Sequence, residues 1–180
     1  MDDPADGVVL ELAKTDRAAF GALFDRHAPA IYRFAAHRVG QGPAEDVLAE
    51  TFTRAFAARK GAYTIEGSLR AWLYAIASNL IADELRRRER SSAAHERLRS
   101  LTTAQFAPDA GVATDPELLR ALEGLRDEER ETLLLLAWGE LSYAEIALVT
   151  GVAIGTVRSR LNRARSHLRA VLDGSASEVA

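Results

Sequence analysis

Residues Leu141 to Leu172 read LSYAEIALVTGVAIGTVRSRLNRARSHLRAVL, and this stretch has the layout of a helix-turn-helix. Ser142 and Glu145 form an S-x-x-E capping box, in which the serine hydroxyl takes the backbone N–H three residues on and the glutamate reaches back. The short helix they open carries Ile146, Ala147 and Val149. Gly151 then stands where a left-handed turn is needed and a Cβ would be penalised. A second helix is expected from about Ile154. Ala147, Gly151 and Val157 occupy the places where such a motif needs a small residue, a turn glycine and a buried wedge.

The second helix divides sharply around its circumference. At helical spacing Val157, Leu161, Ala164, Leu168, Val171 and Leu172 share one stripe, and Thr156, Arg158, Ser159, Arg160, Asn162, Arg163, Ser166 and His167 fill the rest. Between Arg158 and Arg169 there are five arginines and no acid. Unpaired arginines forgo the few tenths of a kcal/mol that each i,i+4 pair of opposite charge adds, roughly. The pattern therefore calls for an anionic partner. Arginine, serine and asparagine carry the groups that read base edges in a major groove and clasp phosphates. The alternative is an ordinary solvated helix at the end of a bundle.

Composition narrows the classes. The chain has 180 residues, 48% hydrophobic and 27% charged, enough for one or two small globular domains. No apolar run approaches the roughly 20 residues of a membrane span. The opening MDDPADG is acidic and lacks a signal-peptide core, so the expected location is the cytoplasm. Without a cysteine there is no disulfide, thiolate zinc site or thiol switch. A net charge of -3 sits oddly with polyanion binding until its distribution is considered. Glu117 to Glu145 holds eight acids against three arginines, and the helix that follows reverses the balance. Beyond a Debye length of about 8 Å, local charge counts for more than the sum.

Period-3.6 stripes follow one another along the rest of the chain, which predicts an all-α fold. Asp16 is expected to cap a helix carrying Phe20, Leu23, Phe24 and His27, and Pro29 to open another with Ile31, Phe34 and Ala35. Gly40 and Gly42 interrupt the pattern and Pro43 restarts it. From Ala44 to about Arg59, Val47, Leu48, Phe52, Ala55 and Phe56 face inward, while Asp46, Glu50, Thr53 and Ala57 lie opposite with Arg54 beside them. That outward face is either solvated or a protein-docking surface; it lacks the ligands of a metal site. A loop, GAYTIEGS, brings Tyr63 and ends at Ser68, the expected cap of a long helix. Its predicted buried stripe is Leu69, Trp72, Leu73, Ile76, Ala77 and Leu80, leaving Tyr74, Ser78 and Asn79 outside it. The helix ends in Arg86, Arg87, Arg88 and Arg90. These basic residues suit either the helix dipole or, with the aromatic loop, single-stranded DNA. Periodicity fades over residues 91–114, the predicted linker. Asp115-Pro116 then opens a helix with Leu118, Leu119, Leu122 and Leu125, and Asp127 is expected to cap one with Leu133, Leu134, Leu136 and Ala137. Catalytic signatures are missing: GVAIGT lacks a phosphate-loop lysine, and His27, His37, His95 and His167 form no close pair.

Three stretches, DRAAFGALFDRHAPAIYRFAAHRV, AEDVLAETFTRAF and GSLRAWLYAIASNLIADELRRR, resemble region 2 of bacterial RNA polymerase sigma factors of the extracytoplasmic-function (ECF) group. The stretch ALEGLRDEERETLLLLAWGELSYAEIALVTGVAIGTVRSRLNRARSHLR resembles their region 4. The resemblance implies two small helical domains joined by a flexible linker: region 2-like over 10–90, linker over 91–114, and region 4-like over 115–173. It implies a non-enzymatic factor without metal or cofactor that binds core RNA polymerase as a monomer within the holoenzyme, directs it to promoter DNA and is held by an anti-sigma factor. Asp46, Glu50 and Arg54 would dock on polymerase. Tyr63, Ser68, Tyr74, Asn79, Arg86, Arg87 and Arg88 would serve the minus-ten element. Thr156, Arg158, Ser159, Arg160, Asn162 and Arg163 would read the minus-thirty-five element.

The sequence departs from the family pattern in places. Ala49 stands where the docking motif commonly has glutamine, the minus-ten loop is short, and Arg126 replaces a usual proline. No further domain is expected after the second. A polymerase-independent helix-turn-helix repressor, which would normally bind two half-sites as a dimer, and a polymerase-binding adaptor are the rival readings. A helical carboxylate metalloenzyme lacks ligands.

Overall fold

A computed structural model describes residues 4–61, 68–95 and 116–176. Its elements are helices α1 (Pro4–Thr15), α2 (Ala19–Val39) and α3 (Gln41–Ala58), a 3-10 turn at Arg59–Gly61, then α4 (Leu69–His95), α5 (Pro116–Glu123), α6 (Asp127–Ala137), α7 (Tyr143–Thr150) and α8 (Ile154–Ala176). The architecture is all-α. The chain divides into two compact units, residues 1–107 and 108–180.

In the first unit α2, α3 and α4 pack around Leu23, Ile31, Phe34, Leu73, Tyr74 and Ile81, all essentially inaccessible to solvent. Burying each such side chain contributes about 1.5–3 kcal/mol. Edge-to-face ring contacts join the helices: Phe20 with Phe56 at 5.2 Å, Phe24 with Phe52 at 4.8 Å and Phe34 with Tyr74 at 5.2 Å between centroids. Helix α1 was not anticipated. Charges pin it as well as apolar contacts: the fully buried Asp6 accepts a hydrogen bond from Arg26 and pairs with His27 Nε2 at 2.7 Å. At its other end the buried Arg59 donates from Nε to the Ala13 carbonyl at 3.0 Å, while its guanidinium lies 3.8 Å over the Phe56 ring.

Three expectations change in this unit. Pro29 does not open a helix but lies inside a continuous α2. A mid-helix proline costs about 3 kcal/mol, because it removes one backbone bond and crowds the carbonyl four residues back. Here Pro29 and Asp25 both lie on the exposed side of the helix, where water can serve that carbonyl, and the core on either side holds the helix together. Asp16 accepts the Ala18 N–H at 2.9 Å in the turn between α1 and α2 without being the N-cap. On α4 the buried face is wider than the predicted stripe: Leu69, Leu73 and Ala77 are inside as expected, Ala71, Tyr74, Ser78 and Ile81 join them, and Trp72, Ile76 and Leu80 are half-buried at its edge. Two helices, α2 and α3, cover α4, so its interior face is broader than one apolar stripe.

The second unit is built on Leu122, Leu125 and Ala164, with Leu118, Leu133 and Leu168 packed against them. Leu134, Leu135, Leu141, Ile146, Val157 and Leu161 extend this core beneath the helix-turn-helix. Asp127 is not a cap: α6 begins after an extended Arg126 that makes no side-chain cap bond. Ala137 is exposed rather than core. Gly124 lets the α5–α6 turn meet α8, since a Cβ there would come within 2.6 Å of His167 Nε2.

Candidate nucleic-acid interface

The capping box is formed. Glu145 N–H donates to Ser142 Oγ at 3.2 Å and Ser142 N–H donates to Glu145 Oε2 at 2.7 Å. Helix α7 then stops because Gly151 adopts φ 68°, and the Val152 N–H turns back to the Ala147 carbonyl at 3.0 Å. Three residues later α8 starts, with the Thr156 N–H on the Ala153 carbonyl at 2.8 Å. Val157, fully buried, wedges α8 against the bundle. Sequence thus sets the crossing of two helices through one cap, one glycine and one valine.

With Val157, Leu161 and Ala164 inward, α8 presents Arg158, Ser159, Asn162, Arg163, Arg165 and Arg169 outward, and Arg160 is half-buried. The side chains of Arg158, Arg160 and Arg169 form no hydrogen bond or ion pair among the described residues, leaving their charge for an external anion. Two arginines depart from the unpaired expectation. Arg163 Nε donates to Glu129 Oε1 of α6 at 2.7 Å, and Arg165 lies 3.4 Å from the Tyr143 hydroxyl of α7. Ser159 Oγ donates to the Thr156 carbonyl at 2.9 Å, so it has an internal partner to exchange before meeting a ligand.

The first unit sorts its candidate residues into surface and framework. Asn79 is exposed at mid-helix. Tyr74 is buried against Phe34, so it is core rather than part of a polar face. Ser68 is also buried and accepts the Ala71 N–H at 3.1 Å, which makes it the anticipated cap of α4. Tyr63 lies outside the described residues, as does most of the predicted linker. The arginines at the end of α4 are less free than their run implies. Arg86 pairs with Asp83, and Arg87 with Glu84 at 2.6 Å. Arg88 bonds Glu84 at 2.8 Å and, through Nη2, the Val39 carbonyl at 2.6 Å, where it caps the end of α2. Arg88 therefore has internal partners on two of its nitrogens, while its side chain stays 40% exposed.

Asp46 and Glu50 lie on the outer side of α3, with Glu50 held by Arg54 at 2.7 Å. They do not stand alone. Pro43, Asp46, Val47, Glu50, Leu80, Asp83, Glu84 and Arg87 line a groove of about 260 Å³ between α3 and α4. Its floor is apolar and its walls hold four carboxylates against one arginine. Partial burial raises the Glu84 carboxyl, but hydrogen bonds and attraction from Arg87 and Arg88 outweigh it and hold Glu84 below its usual value. A charged acidic groove with an apolar floor suits a basic protein surface. No group of three potential metal ligands occurs among the described residues. No helix there is long and apolar enough to cross a membrane.

Sequence reading missed Asp83 and Glu84 as groove walls, although both stand three or four residues before the arginines they bind. It also missed Glu129 and Tyr143, which lie 34 and 22 residues from their arginines and carry no local signal.

Fold and surface define a two-unit helical protein whose second unit is a helix-turn-helix with an arginine-rich face. Residues 23–91 match the family described as Sigma-70 region 2, and residues 116–168 match Sigma-70, region 4. The chain is 33% identical over 178 residues to a probable RNA polymerase sigma-C factor of Mycobacterium bovis, covering 94% of this chain and 91% of the relative. It is 36% identical over 167 residues to the RNA polymerase sigma factor CarQ of Myxococcus xanthus, covering 90% and 94%. Among solved structures it is similar to the sigma factor RpoE in complex with the anti-sigma factor NepR from Bartonella quintana, with TM-score 0.72, 28% identity and coverage of 86% of this chain and 96% of that one. It is also similar to CnrH in complex with the cytosolic domain of CnrY, with TM-score 0.69, 27% identity and coverage of 94% and 98%. The chain belongs to the sigma-70 family of RNA polymerase sigma factors, in its ECF group.

Proposed function

We propose that the chain works as a two-point grip on promoters within an RNA polymerase holoenzyme. The observation that carries this is the arginine-rich face of α8, where Arg158, Arg160 and Arg169 have no side-chain partner among the described residues, on a fully formed helix-turn-helix, joined in one chain to a unit with an acidic groove. Thr156, Arg158, Ser159, Arg160, Asn162 and Arg163 contact the minus-thirty-five element as duplex. The groove around Asp46 and Glu50, with Arg54 at its edge, docks on core polymerase. Asn79, Arg86 and Arg87, with Tyr63, serve the opened minus-ten element; Ser68 and Tyr74 support that surface from within, and Arg88 from the end of α2 that it caps. The region 2-like domain spans 10–90 and the region 4-like domain 115–173. The protein acts in the cytoplasm as a monomer on polymerase and performs no catalysis itself. Its restraint by an anti-sigma factor is supported by the similarity to two sigma factors held in such complexes.

The test is reconstitution. Purified protein is added to core RNA polymerase with fragments of genomic DNA, and transcript start sites are mapped. Specific initiation only in its presence supports the reading. Tight operator binding by the free protein, with no effect on core polymerase, would replace it with a repressor.

A further inference from the structure

Arg163 differs from the other arginines on α8, because a carboxylate from another helix holds it. Glu129 is buried, while the Arg163 side chain remains about half-exposed (55%). The contact uses the guanidinium Nε, which leaves both terminal amino groups, Nη1 and Nη2, for other partners. Glu129 sits in the first turn of α6, where the helix dipole favours its negative charge. Helix α6 in turn packs along α8, so the carboxylate is a fixed anchor. Moving Arg163 away would strand a buried charge, which is costly.

We infer that Glu129 is a positioning residue for promoter binding: it fixes the Arg163 guanidinium so that Nη1 and Nη2 form a preset fork toward two neighbouring acceptors on promoter DNA. Those acceptors are the O6 and N7 edge of a guanine or two phosphate oxygens, since the same fork fits both. The inference rests on the reading of α8 as the DNA-contacting helix. An arginine already held by its Nε loses less rotamer freedom on meeting DNA, which is the general gain from preorganisation.

Removing a carboxylate also changes charge near a polyanion, so the decisive comparison is between two neutral variants. In Glu129→Gln the side-chain carbonyl can still accept from Nε; in Glu129→Ala nothing can. Holoenzymes carrying each variant are assayed for binding to a panel of promoter fragments with single base-pair changes in the upstream element. Arg163→Ala, Arg158→Ala and Arg160→Ala accompany them, and thermal melting of each free protein reports folding. Glu129→Ala is expected to bind about five- to tenfold more weakly than Glu129→Gln, the lower part of the range for a bidentate arginine contact. With a guanine edge the loss is confined to the base pair at which Arg163→Ala loses discrimination. With phosphates it is uniform across the panel. Should Glu129→Ala melt too low to assay, Glu129→Leu, which refills the space, takes its place. Equal binding by Glu129→Ala and Glu129→Gln overturns the proposal, as does wild-type binding by Arg163→Ala while Arg158→Ala or Arg160→Ala weakens it. If all three arginine variants bind as wild type, the reading of α8 itself fails.

Discussion

Replacing Asp46 and Glu50 together by lysine separates docking from folding. Asp46 is exposed and has no partner among the described residues, and Glu50 makes an i,i+4 pair with Arg54 whose side chains are 46% and 52% exposed. Such a pair contributes about 0.3–0.5 kcal/mol. A lysine at position 50 would also face Arg54 as a like-charge i,i+4 pair, a further cost of roughly 0.2–0.5 kcal/mol. The double variant should therefore lose at most about 1 kcal/mol of stability, a few degrees in melting temperature. Against a basic partner the same change sets like charges face to face, a cost of several kcal/mol. Binding to core polymerase, measured by fluorescence anisotropy or co-elution, should fall at least tenfold, about 1.4 kcal/mol. The wild-type affinity should itself weaken as salt rises. Unchanged affinity in a variant that melts normally would refute the assignment of this groove to polymerase.

Truncating Arg158 or Arg160 to alanine in holoenzyme should cost about 1–3 kcal/mol of discrimination where the side chain meets a base, or reduce the salt slope by about one where it meets a phosphate. Quantitative footprinting on promoter variants over a salt series distinguishes these from no effect. Ser142→Ala removes the hydroxyl that accepts the Glu145 N–H and should cost about 1 kcal/mol. Gly151→Ala has open space for its Cβ but keeps φ 68°, so it should cost about 1–2 kcal/mol from backbone strain alone. Calorimetric melting checks both. Because Glu84 titrates below its usual 4.5 when folded, its contribution to stability is present above that pH and is lost as pH falls through the folded value. Glu84→Gln should accordingly be less stable than wild type near neutrality and converge with it in acid, as read from melting curves at several pH values.

Much of the fold was legible because local signals agreed. The capping box, Gly151 and the Val157 stripe all specify one helix crossing, and each is a short-range rule. Pro29 misled because its local preference was overridden by the buried residues on either side of it. Tyr74 misled for a related reason: an apolar stripe marks where burial is certain, but two covering helices extend it to a ring that sequence ranks as amphipathic. Helix α1 stayed hidden because its hold on the unit depends on Asp6 meeting Arg26 and His27, and Arg59 meeting Ala13, over long sequence separations. Candidate surface residues were found by helical wheels and by resemblance. Their partners were not, since a pair such as Arg163 and Glu129 exists only after α6 and α8 are packed.

The buried contacts of α1 bear on where the first unit can be cut. A fragment limited to the family match would begin at residue 23 and discard Asp6 and Ala13. His27 would then sit against an empty space once filled by a carboxylate, and the Arg59 guanidinium would lose its carbonyl. Such a fragment would mimic a folding defect in any pull-down, and poor recovery of polymerase would be misread as a weak interface. A fragment that keeps residues 4–95 retains the whole clasp and is the proper unit for dissecting the two halves of the grip.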